Sequence, residues 1–115
     1  MTILGLVLLV SGTLIMIPAC RANPWCQPQI QLWNGQAPVT WGVYSVVRHP
    51  HYLGALLWWA GLALVLWAPL ALLWPFGLWF YIERIFREEE MLVKGLAGYP
   101  EYMKSTPYRL IPGIF

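Results

Sequence analysis

The sequence predicts an all-α integral membrane protein. It has about three transmembrane helices, including a tight helical hairpin, followed by a cytoplasmic C-terminal helix. Three observations predict this. First, 59% of the 115 residues are hydrophobic and only 10% are charged, where a soluble domain carries about 25% charged residues. Second, the apolar runs at 2–19 and 52–82 reach or exceed the length that crosses a bilayer, ~20 helical residues. Third, the charged residues gather between and after these runs, where anchoring charges belong. The length suits one membrane-embedded domain, 1–115. A net charge of +2 gives no footing for nucleic-acid binding, and there is no internal repeat or low-complexity tract.

The first element, 1–19, is expected to be a transmembrane helix. It has the apolar length of a signal peptide, but no Lys or Arg precedes it, so the basic leader such a peptide needs is missing. Residues 20–51 form an interfacial loop. Pro24, Pro28, Pro38 and Asn34-Gly35 break helices, and Trp25, Trp33 and Trp41 suit a membrane interface. Unstructured loops this long are often functional. Val39–Val47 is β-branched enough to be extended.

As a single helix, 52–82 would be about 46 Å long against a hydrocarbon core of ~30 Å. Ala68-Pro69 breaks it near its middle, giving a hairpin with Trp67 and Trp74 at the outer interface. The last segment, 83–115, opens on a charged helix whose Glu83–Arg87 and Arg84–Glu88 pairs are spaced for salt bridges. All seven basic residues fall in the first loop or after the hairpin. A hairpin returns the chain to the side it left, so the positive-inside rule puts both regions in the cytoplasm and the N-terminus outside. Gly5 and Gly12, like Gly54 and Gly61, are seven residues apart. Each pair either makes a smooth face for close helix contact or reflects the frequency of glycine in membrane helices.

Cys20 and Cys26 match no familiar zinc or redox spacing. A tetrahedral site would need both to converge with both histidines, so free thiols and no metal are expected. The segment that carries chemistry is Gly42-Val43-Tyr44-Ser45-Val46-Val47-Arg48-His49-Pro50-His51-Tyr52-Leu53-Gly54. Arg48 offers a planar donor fork for a carboxylate or phosphate, and His49 can donate or accept near neutral pH. Pro50 suits a helix start, Tyr52 is amphipathic, and Gly54 leaves room for a ligand. The alternative is that Arg48 and His49 only anchor the hairpin at headgroups. Similarly, Glu88-Glu89-Glu90 either forms a solvated helix face or binds a polar ligand group such as a ribose diol or an ammonium. No dinucleotide loop, P-loop or serine-nucleophile motif occurs.

Together, Gly42 to Gly54, Glu88-Glu89-Glu90-Met91-Leu92, Gly98-Tyr99-Pro100-Glu101-Tyr102 and the tail Tyr108-Arg109-Leu110-Ile111-Pro112-Gly113 resemble the isoprenylcysteine carboxyl methyltransferase and phospholipid methyltransferase superfamily, in its small bacterial form. The resemblance covers about two thirds of the chain, in order. It implies S-adenosyl-L-methionine as methyl donor, bound near the cytoplasmic face of a bacterial inner membrane. Tyr44, His49, Pro50, Tyr52 and Gly54 would line the cofactor site, Glu88 and Glu89 would contact its polar groups, and Arg48 and Arg84 would hold or polarise a lipophilic acceptor. Family members usually have more helices before the Arg-His-Pro motif. A second copy of the chain or membrane lipid would then complete the acceptor wall. Two other readings stand beside this one. One is an NADPH-dependent sterol reductase, whose C-terminal region is similar but tends to carry Asp-Glu and a Cys where this chain has Glu88-Glu89. The other is a non-catalytic membrane scaffold.

Overall fold

The computed structural model describes residues 1–26, 29–66 and 69–115. The expectations resting on Pro28, Trp67 and Ala68 lie outside them. The described residues hold four α-helices and no strand: α1 Thr2–Ala22, α2 Pro50–Leu66, α3 Trp74–Gly95 and α4 Tyr99–Ser105. Short 3-10 turns occupy Gly42–Ser45 and Pro69–Leu73.

The two glycine pairs are where α1 and α2 touch. Gly5 faces Gly61 and Gly12 faces Gly54, an antiparallel register in which equal seven-residue spacings must coincide. A Cβ on Gly12 would lie 2.6 Å from the Gly54 carbonyl oxygen, and one on Gly61 2.6 Å from that of Gly5. The backbones therefore pack in direct contact, as small residues allow where lipid removes any hydrophobic drive between helices. Gly12→Ala should force the helices apart and cost about 1–3 kcal/mol, the range for overpacking. Gly77→Ala, at an open position, should be neutral. Thermal unfolding in detergent micelles measures both.

Among the described residues, only α1 is long and apolar enough to cross a membrane. Its outer face exposes Ile3, Leu6, Val7, Val10 and Leu14, an apolar surface too continuous for water. α2 is apolar but shorter. α3 is apolar only over its first turns, and it continues unbroken through the charged segment to Gly95, because no Gly or Pro interrupts 78–94. Val39–Val47 is not wholly extended. Gly42 takes φ +62°, open to glycine at little cost, and starts a 3-10 turn in which Ser45 Oγ donates to the Gly42 carbonyl at 2.6 Å.

The buried core lies at the charged end. One cluster joins Ala19, Val39, Tyr44, Leu92, Leu96, Tyr99 and Tyr102. The other joins Tyr52, Leu56, Ile85 and Leu110. The loop, the second half of α3, α4 and the tail thus pack together over the start of α2.

Candidate functional site

Pro50 begins α2 with a preset φ and no N–H to satisfy. This places Arg48 and His49 just before the helix, where their backbone N–H groups donate to the Tyr108 and Arg109 carbonyls, each at 2.9 Å. Both side chains then meet Glu89 of α3. Arg48 Nε donates to Glu89 Oε1 at 2.8 Å, and Arg48 Nη1 donates to the Thr106 and Pro107 carbonyls at 2.9 and 2.8 Å. His49 Nε2 lies 3.0 Å from the same Oε1. An ionised carboxylate only accepts, so that nitrogen carries the proton. Arg109 Nε donates to Glu89 Oε2 at 2.8 Å, and its guanidinium stacks over Phe86 and Phe115. The Glu89 side chain is only 5% exposed. Burial by itself would raise its pKa, but the hydrogen bonds from His49 and Arg48, the His49 charge and the bond from Arg109 outweigh burial and hold it at about 2.

Glu88, one residue earlier, points elsewhere. Arg84 Nε donates to Tyr52 Oη at 2.8 Å, and Tyr52 Oη–H donates to Glu88 Oε2 at 2.5 Å. The expected surface pair Arg84–Glu88 is thus bridged by a tyrosine from α2. Glu83–Arg87 is an exposed pair at 3.7 Å, in the form the spacing predicted.

A recess of about 80 Å³, partly open to solvent, lies between the loop, α2, α3 and α4. Tyr44, Arg48, His49, Tyr52 and Glu88 line it, with Trp25, Met91, Tyr99 and Tyr102. Aromatic faces beside a carboxylate suit a flat heterocycle carrying positive charge. Of the other expected site residues, Pro50 is fully buried, Gly54 packs against Gly12, and Glu89 is enclosed by Arg48, His49 and Arg109. The Arg48 fork is committed to Glu89 and the tail carbonyls rather than open to a ligand. Sequence reasoning missed Asn23, which caps the end of α1 and donates to Tyr44 Oη at 3.3 Å. It also missed Arg109, whose tail motif was visible but whose partner was not.

A second, apolar groove of about 300 Å³ opens between α2 and α3. Leu56, Trp59, Leu62 and Ala63 form one wall, Trp74, Gly77 and Tyr81 the other. Tyr81, which lines the groove, meets Tyr52, which lines the recess, with ring centroids 5.3 Å apart.

The sequence model of the phospholipid methyltransferase family matches residues 1–97. The chain is also similar to protein-S-isoprenylcysteine O-methyltransferases. With that of Xenopus laevis it is 42% identical over 72 residues, 60% of this chain and 25% of the relative. With that of Saccharomyces cerevisiae it is 46% identical over 68 residues, 56% and 28% respectively. With that of Dictyostelium discoideum it is 34% identical over 79 residues, 66% and 33%. In these comparisons the matched region spans about a quarter to a third of the curated relatives' length.

Proposed function

The chain belongs to the phospholipid methyltransferase family, and from that premise we propose that it transfers a methyl group from S-adenosyl-L-methionine to a lipophilic acceptor, an isoprenylcysteine-like carboxylate or a related lipid. The observation that carries this is the Arg84–Tyr52–Glu88 chain of hydrogen bonds, set between a polar recess and an apolar groove. One compartment suits a charged nucleoside, the other a hydrocarbon tail, and they adjoin where Tyr52 packs on Tyr81.

When bound, S-adenosyl-L-methionine supplies a methyl group already activated by its sulfonium charge. The residues need only hold both partners in line and exclude water. In the recess, Glu88 would accept hydrogen bonds from the ribose diol or the ammonium group. Trp25 and the tyrosines would cover the adenine, and their ring faces favour the sulfonium charge. Arg84 would hold the acceptor carboxylate at the mouth of the groove, its position fixed by the Tyr52 hydroxyl. A carboxylate nucleophile needs no general base, so the lack of an unpaired histidine in this region costs nothing. Arg48, His49 and Glu89 act as positioning residues that tie α2, α3 and the tail into one wall.

We further propose that α1, α2 and the start of α3 cross the membrane with the charged end in the cytoplasm. A cysteine at Lys104, in a background lacking Cys20 and Cys26, should resist an impermeant thiol reagent added outside intact cells. Labelling there from outside would reverse the orientation.

The experiment that tests the donor is thermal unfolding with S-adenosylhomocysteine. A ligand at 100 times its Kd stabilises the folded state by about 2.7 kcal/mol, so the melting temperature should rise, and it should not rise with NADPH. A rise with NADPH alone would turn the reading to the reductase.

A further inference from the structure

Cys20, Cys26 and His51 come from three separate segments: the last turn of α1, the loop after it and the first turn of α2. Nothing in the methyl-transfer reading uses them together, yet their ligand atoms lie within 4.8 Å of one another. Cys20 Sγ is 3.7 Å from Cys26 Sγ and 3.2 Å from His51 Nδ1. With Zn–S of about 2.3 Å and Zn–N of about 2.0 Å, a tetrahedral ion sets two sulfurs roughly 3.8 Å apart, and sulfur and nitrogen roughly 3.5 Å apart. The geometry therefore matches a three-ligand zinc site to within a few tenths of an ångström on both recorded distances. It is well short of the ~2.05 Å contact of a disulfide.

We propose that Cys20, Cys26 and His51 bind one Zn²⁺ through two thiolates and His51 Nδ1, with water in the fourth position, since Cys20 is exposed. Soft thiolates with one imidazole in tetrahedral array select zinc over the hard cations. Loading releases two thiol protons and changes no oxidation state. The ion would fasten the end of α1 to the start of α2 across the long loop. Both Cys26 and His51 line the recess, so the clip would also fix one of its edges. This goes beyond the proposed methyl transfer and does not depend on it.

The test uses the full chain in detergent micelles, reduced with a non-chelating phosphine under anaerobic conditions and freed of metal. Titration with Co²⁺ should give the intense visible bands of tetrahedral cobalt and a thiolate-to-cobalt charge-transfer band. Both should saturate at one ion per chain and be bleached by Zn²⁺. Cys20→Ser, Cys26→Ser and His51→Asn should each weaken binding at least about tenfold, the lower bound seen even for outer-shell losses. Zinc should protect both thiols of the unmutated chain from alkylation, a readout that requires no variant to fold. The weak spectrum of octahedral cobalt with no charge-transfer band would overturn the site. So would alkylation unaffected by zinc, or a Cys20–Cys26 disulfide in protein isolated anaerobically without reductant.

Discussion

Glu89→Gln should cost about 3–5 kcal/mol of stability, the penalty for removing one partner of a buried ion cluster. The change is nearly isosteric, so the loss is electrostatic. Arg48, His49 and Arg109 all donate to this one carboxylate. A neutral amide would leave buried positive charge unbalanced and turn an N–H group toward at least one donor. Arg48 would keep its two carbonyl contacts, but the charged tie from the start of α2 to α3 would be lost, leaving the Tyr52 bonds to Arg84 and Glu88. Glu88→Gln should behave differently. Its carboxylate faces the recess, so its loss should leave the melting temperature nearly unchanged while weakening S-adenosylhomocysteine binding by about 1.5–3 kcal/mol, the range for hydrogen bonds to charged groups.

The same cluster sets an acid limit. Glu89 has its pKa lowered from 4.5 to about 2. A depressed carboxylate stabilises the folded state fully above its unfolded value, and that contribution disappears as pH falls through the folded value. The melting temperature of the unmutated protein in micelles should therefore fall between pH ~4.5 and ~2, and the Glu89→Gln variant should lack this component. Equal stability of the variant and the unmutated protein at pH 7 would show that the cluster does not hold the fold together.

The different fates of Glu88 and Glu89 show where sequence reading runs out. The pair was conspicuous because carboxylates are costly beside apolar runs. However, neighbours on a helix point about 100° apart, and which one faces a ligand depends on how α3 is rotated against α2. That rotation is set by Ile85 and Leu92 in the core, and a run of three glutamates carries no periodicity to reveal it. The glycine spacings, by contrast, offered smooth faces for close helix contact, though not which helices would meet. Equal seven-residue intervals match in a parallel or an antiparallel pair, and the fold uses the antiparallel match, Gly5 to Gly61 and Gly12 to Gly54. Arg48 was readable as a polar residue with work to do, but its work is to bind Glu89 and the tail, and the tail's position follows from chain closure that no local pattern encodes. The same closure brings Cys20, Cys26 and His51 together, which their distance along the chain conceals. The family motifs carried the functional reading further than composition could, because they fix the order of blocks that the fold brings together around Tyr52.

Arg84→Lys should abolish most methyl transfer while leaving cofactor binding in place. Lysine keeps the charge, but it loses the planar fork that grips a carboxylate with two parallel hydrogen bonds. It also has no Nε–H to donate to Tyr52 Oη, the contact that now sets the arginine's direction. A misdirected donor at a reacting centre commonly costs about 10²–10³ in kcat, and loss on this scale is expected here. S-adenosylhomocysteine affinity should change little, since Glu88 and the aromatic walls of the recess are untouched. Tyr52→Phe separates the two roles. It keeps the ring that lines the recess and packs on Tyr81 but removes the hydroxyl that joins Arg84 to Glu88, so both cofactor affinity and turnover should fall. The measurement is transfer of labelled methyl to prenylated thiol acids, fatty acids and aminophospholipids presented in micelles. A carboxylate on an apolar chain should be the best acceptor, because its tail fits between α2 and α3 and a guanidinium repels a protonated amine. An Arg84→Lys variant as active as the unmutated chain, or activity confined to water-soluble acceptors, would sink this model of the acceptor site.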